Sequence, residues 1–382
     1  MVKRRGHQLL LVAHFLAVIY AVGLLQAVKE VREGERPQVL DLFHQRPTAS
    51  NLRAFEKDLE AQSCVAQVLR PWMQYARFLA FKDAGEKALI GRSGWWFYRP
   101  DVRYLVEPCP TSSKDKTGYG EVVSAIISFR DQLAARDIRL LVVPVPGKPS
   151  VYSEMVSARA FPVDPRVHAH TRRLIGDLTG VGVEVVDLFD AFARARAGES
   201  RSHAGRYYLI RDTHWSGDGA RLAAEAVARR VRELGWATTS STVYDLKPVR
   251  VSRPGDILRM LRAQQIEQLF EPQEVECGQV IRRDNGQPYR DDPSASILVL
   301  GDSFLRIYER DEPGSAGFIA HLARQLGQPI ASIVSDGGAS TLVRQELARK
   351  PALLVGKQLV VWEFVERDIR FGMEGWQQVP IP

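Results

Sequence analysis

Between residues 122 and 362, short apolar runs alternate with amphipathic stretches, and that alternation leaves few architectures open. Val122, Ile126, Phe129 and Leu133 fall on one face at helical spacing. Residues 138–143 follow as an unbroken apolar run closed by Pro144 and Pro146, the form of a strand buried on both faces. The same reading predicts a helix over 165–178, a strand over 183–188 and a third strand over 207–210. Ala220, Ala223, Val227, Val231 and Leu234 then mark one stripe of a helix that Gly235 stops. After a polar, turn-rich stretch the pattern resumes: strand 296–300, helix 317–326, strand 330–334, helix 342–348, strand 359–362. Such a chain is expected to be α/β, a three-layer sandwich with a mostly parallel central sheet and its chemistry at the strands' carboxyl ends. Residues 236–295 read as an insertion with one helix near 256–269, and the aromatics of 94–98 as core packing.

With 45% hydrophobic and 25% charged residues, the 382-residue composition is that of a globular protein, neither disordered nor multi-spanning. Of the net charge of +7, Lys3, Arg4 and Arg5 supply three, so no concentrated basic face for nucleic acid is expected. Residues 9–28 carry no formal charge, and about 20 helical residues span roughly the 30 Å of a bilayer core. A buried helix does not fit directly after Met-Val-Lys-Arg-Arg, and Ala21-Val22-Gly23 is a poor signal-cleavage site. The expected organisation is a cytoplasmic tail and membrane anchor over 1–28, a helical stalk over 29–84 and the α/β domain over 85–382. The basic N-terminal cluster orients the tail inward, although Lys29, Arg32 and Arg36 balance it. Cys64, Cys109 and Cys277 fit no zinc spacing, and in an oxidising compartment allow one disulfide in any of three pairings.

Two motifs carry chemistry. Residues 297–300 deliver Gly301-Asp302-Ser303-Phe304 at a strand's carboxyl end, where a serine can meet backbone N–H groups able to hold an oxyanion. By itself this tripeptide is an ordinary turn. A serine nucleophile needs a base, usually a histidine held by a carboxylate. His7 and His14 belong to the anchor, His44 to the stalk, and His168 and His170 to an Arg-rich helix. His203 lacks an orienting carboxylate, and His321 is mid-helix. His214 lies between a strand and a helix with Asp212 two residues before it, so Ser303, His214 and Asp212 are the candidate triad.

Asp212-Thr213-His214-Trp215 and Gly301-Asp302-Ser303-Phe304, in that order, resemble the SGNH-hydrolase-like domain of periplasmic alginate O-acetyltransferases of the AlgJ/AlgX type. Gly94-Trp95-Trp96-Phe97-Tyr98, Pro144-Val145-Pro146-Gly147-Lys148, Gly255-Asp256-Ile257-Leu258, and Trp362-Glu363 with Glu366-Arg367 extend the likeness over about residues 85–370. Ordinary SGNH hydrolases place the serine block first; the permuted order here matches the acetyltransferase branch. The resemblance implies an SGNH-like (flavodoxin-like) fold and acetyl transfer to a polysaccharide hydroxyl through an acetyl-serine. It also implies a single-pass inner-membrane protein with a periplasmic catalytic domain, and an acetyl donor relayed by a multi-spanning membrane O-acyltransferase. No cofactor, metal or nucleic acid is expected. Asn51 and Asn285 lie outside strand-end loops, so the side-chain oxyanion donor of many SGNH enzymes is expected to be missing, with Gly337 and Gly338 as candidate replacements. Lys148, Arg306 and Trp362 are candidate substrate-binding residues. The rival readings are a polysaccharide O-acetylesterase and a non-catalytic scaffold of an acetylation and secretion complex.

Overall fold

A computed structural model describes residues 2–44, 46–107, 119–158, 169–198, 207–237 and 242–382, so His168, His203 and Cys109 lie outside the described residues. The chain divides into two compact units, Met1–Asp83 with Arg262–Leu269, and Ala84–Leu261 with Phe270–Pro382.

In the larger unit the strands are β1 (Ala88–Ile90), β2 (Trp96–Tyr98), β3 (Arg139–Val145), β4 (Glu184–Val185), β5 (Tyr244–Arg253), β6 (Gln273–Arg282), β7 (Ile297–Gly301), β8 (Ala331–Val334) and β9 (Leu359–Val365). Five of them form a sheet in the order β4-β3-β9-β7-β8, with every neighbouring pair parallel. Successive side chains of a strand point to opposite faces, and both faces here are apolar. Leu141, Val143, Val299 and Val361 enter the core shared with helices Leu188–Ala197, Gly217–Glu233 and Phe318–Leu326. Leu140, Val142, Leu298 and Val360 enter the opposite core, under Tyr119–Ala134, Ala169–Gly180 and Leu342–Arg349. This is the expected three-layer sandwich, and it sets the carboxyl ends of β3, β7 and β9 side by side.

Three expectations change. Residues 207–210 form no strand of the sheet; Tyr208 makes one antiparallel bridge with Trp215, closing a loop around Asp212. The strand expected over 183–188 pairs only at Glu184 and Val185, because the Asp187 carboxylate accepts from Asp190 N–H and starts a helix. The insertion is mainly an antiparallel ribbon, with β5 and β6 paired over ten residues each. Its expected helix splits into Asp256–Met260 and Gln264–Glu267, separated by Arg262 in the left-handed region at φ 52°.

The smaller unit contains helix Val2–Arg32, the 3₁₀ turn Gln38–Phe43, and helices Ala49–Gln62 and Cys64–Phe81. Within the first, Leu11–Arg32 (22 residues, mean hydropathy 2.1) is long and apolar enough to cross a membrane. Its far end is tied down by polar bonds. Gln26 donates to Glu30 at 2.7 Å, Glu30 accepts Gln38 N–H at 2.9 Å, and Gln26 accepts Cys64 N–H at 2.8 Å.

Candidate active site

β7 ends at Gly301, where a Cβ would stand 2.2 Å from Glu363 Oε2 and 2.5 Å from the Leu305 side chain. Only glycine lets the strand end lie that close to β9. The next N–H, that of Asp302, donates to Glu363 Oε2 at 3.0 Å. The Asp302 carboxylate caps the short helix Ser303–Arg306 by accepting Phe304 N–H at 2.8 Å. Ser303 is therefore fixed as the first helical residue, half-buried at the sheet's carboxyl edge.

The opposing loop is built around Asp212. His214 Nε2 and Ser303 Oγ are 2.8 Å apart, although 89 positions separate them in sequence. On the other side of the ring, His214 Nδ1 lies 2.7 Å from Asp212 Oδ1, which also accepts the backbone N–H of His214 at 3.1 Å. Asp212 Oδ2 accepts Asp256 N–H at 3.0 Å. Asp256 in turn accepts Thr213 N–H at 2.7 Å and the Thr213 hydroxyl at 2.5 Å, and its Oδ2 stands 3.5 Å from His214 Nδ1. The chain reaches Asp256 through Gly255 at φ 97°, where a Cβ would lie 2.3 Å from the Arg211 carbonyl oxygen. Phe304 packs beside the His214 ring, with centroids 5.0 Å apart, and edge-on to Trp215 at 5.1 Å.

Burial and the Asp212–His214 pair pull these groups in opposite directions. Burial alone would raise Asp212, but the His214 hydrogen bond and charge outweigh it and hold the carboxyl well below its usual range. Burial would likewise lower His214; the bond and charge of Asp212, with Asp256 and Asp302 behind, bring the net direction up. Asp256 is raised to about 6 by burial and by the Asp212 charge. Asp302 and Glu363 are also raised, both mainly by burial. The Asp212 carboxyl is thus pushed down while those of Asp256, Asp302 and Glu363 are pushed up.

Asp212, His214 and Asp256 also present ligand atoms within 4.8 Å of one another, a spacing compatible with a cation. Two of those atoms already satisfy each other through the short Nδ1–Oδ1 contact, so the group is complete as a hydrogen-bonded set.

The other sequence candidates have different surroundings. Lys148 is fully buried, and its ammonium donates to the carbonyls of Leu209 (3.0 Å), Ile210 (3.1 Å) and Asp212 (2.6 Å). Its three hydrogen-bond directions are taken by carbonyls, and burial lowers its pKa to about 7, so in this structure it braces the Asp212 loop. Trp362 is also fully buried, in the opposite core, with its indole N–H on the Ala339 carbonyl at 2.8 Å. It packs the sheet and does not face the site. Gly338 N–H bonds to the Ser335 carbonyl at 3.0 Å within its turn and is spent as an oxyanion donor. Gly337 is half-buried at φ 65°, a turn conformation suited to glycine. Arg306 is half-exposed and ion-paired with Asp311 and, at 2.8 Å, with Asp336. His321 is buried mid-helix, and burial lowers it to about 4. Asp256 and Glu363 carry no role in the sequence pattern alone; the one local signal for Asp256 is a carboxylate directly after a glycine.

A serine at the end of a parallel strand, facing an Asp-x-His loop in a three-layer α/β domain, defines an SGNH-hydrolase-like protein. Residues 88–366 match the model of one such family, described as the SGNH hydrolase-like domain of acetyltransferase AlgX, and the chain belongs to that family. It is 22% identical over 322 residues to the probable alginate O-acetylase AlgJ of Azotobacter vinelandii, covering 82% of this chain and 78% of the relative. The AlgJ protein of Pseudomonas putida, also described as a probable alginate O-acetylase, is 22% identical over 302 residues, covering 76% and 72% of the two chains. Among solved structures, the O-acetyltransferase domain of Pseudomonas putida AlgJ superposes with a TM-score of 0.59 at 22% identity, covering 74% of this chain and 92% of that one. Pseudomonas aeruginosa AlgX does so with a TM-score of 0.51 at 20% identity, covering 73% and 61%.

Proposed function

We propose that this protein is a polysaccharide O-acetyltransferase that works through an acetyl-Ser303 intermediate. One observation carries the reading: a half-buried serine hydroxyl 2.8 Å from an imidazole whose other nitrogen is held by an ionised carboxylate. Ser303 Oγ attacks the acetyl carbonyl of a donor ester while His214 Nε2 takes its proton. The donor oxygen leaves with that proton, and the acetyl group stays on Ser303. A sugar hydroxyl then attacks the acetyl-serine, its proton passes to His214, and Ser303 recovers a proton as the sugar ester departs. Asp212 fixes the ring's tautomer and stabilises the imidazolium. The oxyanion falls to the N–H of Ser303 at the start of its helix, since Phe304 N–H is already engaged by Asp302. A positioned base is worth about 10²–10⁴ in rate and an oxyanion donor about 10²–10³.

In this reading Leu11–Arg32 is a single-pass anchor in a bacterial inner membrane and the family domain is periplasmic. A multi-spanning membrane acyltransferase supplies the acetyl ester, and a polysaccharide accepts it; an alginate-like polymer is the acceptor suggested by the names of the relatives. The test uses the full chain in detergent with a chromogenic acetyl ester and oligosaccharides, followed by mass spectrometry. Acetylated oligosaccharide and an acetyl adduct on the Ser303 peptide are expected, and both are lost in Ser303→Ala. Acetate release that ignores the acceptor would make the protein an esterase, and activity surviving in Ser303→Ala would overturn the triad.

A further inference from the structure

The smaller unit has an apolar face that nothing in the catalytic reading uses. Helix Cys64–Phe81 turns Phe78 inward and Val68, Leu69, Trp72, Met73 and Leu79 outward, with Trp72 56% and Met73 64% exposed. Leu69, Trp72, Met73, Ala76 and Ala80 recur three or four apart and so form one continuous stripe. Residues 64–82 contain Arg70, Arg77 and Lys82 and no acid, and Arg77 pairs with Asp83 beyond the helix.

The start of this helix is pinned to the end of the apolar one. Cys64 N–H, its first amide, donates to Gln26 Oε1, and Gln26 and Glu30 are themselves buried and bonded. On the anchor reading, the charged residues Lys29, Glu30 and Arg32 place the end of the membrane segment near Gln26, since charges are costly in hydrocarbon. The amphipathic helix therefore begins at the boundary between lipid and water. Phe43, 78% exposed on the neighbouring 3₁₀ turn, adds to the apolar surface at this level. An apolar cleft of about 570 Å³, lined by Tyr20, Leu24, Val39, Leu42, Phe55 and Leu59, opens beside the first helix.

We propose that helix Cys64–Phe81 lies in the membrane interface, its Trp72–Met73 stripe among acyl chains and its basic residues at anionic headgroups. The proposal rests on the anchor reading given above. An apolar stripe bearing a tryptophan, on a helix whose own charged residues are all cations, is a composition that seats a helix at that depth. The family domain, which starts a few residues later at 88, would then hang from a two-point membrane attachment.

The test uses the unmodified full chain in vesicles of phosphatidylcholine and phosphatidylglycerol, one lipid carrying a photoactivatable group on its acyl chain. Cross-links are expected both in 11–25 and in 65–81. In the same vesicles hydroxyl-radical oxidation of Met73 should fall at least several-fold relative to detergent-free peptide controls, while Met373, 54% exposed in the larger unit, reacts freely. Trp72→Glu should reduce cross-linking of 65–81 and leave that of 11–25 unchanged. Cross-links confined to 11–25, with Met73 as oxidisable as Met373, would overturn the interfacial helix, keep the anchor and leave the stripe to a protein partner. Cross-links in neither segment would overturn both.

Discussion

Replacing Asp212 with asparagine keeps the side chain's shape and removes its charge. Three N–H groups converge on this carboxylate: the ring and backbone of His214 on Oδ1, and Asp256 on Oδ2. An amide has one acceptor oxygen, so in either orientation its NH₂ meets a donor. With the NH₂ in the Oδ1 position, the ring loses its acceptor and can adopt the tautomer protonated on Nε2, which cannot take a proton from Ser303. A unit charge pair at the 2.7 Å Nδ1–Oδ1 separation is worth about 6 kcal/mol at an effective dielectric of about 20, an upper figure for imidazolium stabilisation. At about 1.4 kcal/mol per factor of ten, that is a loss of about 10⁴ in kcat for acetyl-ester cleavage. The acyl-enzyme burst, followed in a stopped-flow instrument with the chromogenic ester, should slow by this factor while the protein stays folded. Because the Asp212 carboxyl is held below its usual range, it stabilises the native state above about pH 4, and that contribution fades as pH falls through the folded value. The variant's stability deficit should therefore be largest near neutral pH and shrink in acid. Retention of more than about a tenth of wild-type turnover would refute the charge argument.

Three further outcomes are expected. His214 sits above its ordinary 6.5, so kcat/KM of the wild type should fall on the acid side with a midpoint above pH 6.5, read from a pH–rate profile; the matching stability contribution is present below 6.5 and lost as pH rises through the folded value. Lys148→Met strands three carbonyls at about 1–3 kcal/mol each, partly offset by relief of the buried ammonium, so urea unfolding should show a net loss of about 1–3 kcal/mol, with kcat reduced and acceptor KM little changed. Gly255→Ala places a methyl against the Arg211 carbonyl in a left-handed conformation; about 2–4 kcal/mol of stability and at least about tenfold in burst rate should be lost, seen by thermal melting and by the burst assay.

How much of this was legible depends on how local each signal is. Asp212 and His214 are two residues apart, and Ser303 follows its strand directly, so pattern alone selected them. Asp256 was not selected because its role exists only through contacts with Asp212 and Thr213, 44 and 43 positions away. Lys148 illustrates a related point: a cation at a strand end reads as a ligand contact, and the carbonyls that surround it are visible only in the fold. The sheet strands were readable because burial on both faces makes them apolar throughout. The β5–β6 ribbon has charged residues on its outer positions, such as the paired Arg250 and Glu276, and its alternation was lost among turns. Residues 207–210 have strand composition, yet Lys148 and the Tyr208–Trp215 bridge hold them in a loop.

β9 is the last strand in sequence, yet it is the one that joins β3 to β7. A chain emerging from its N-terminus can complete β3 with β4, and β7 with β8, as separate pairs. The keystone arrives only with residues 359–365, and until then Glu363 cannot receive the amide of Asp302, the residue next to Ser303. Chains truncated before residue 359 should thus be two open half-sheets with bare edges, prone to aggregate, so that the seating of Ser303 waits on β9.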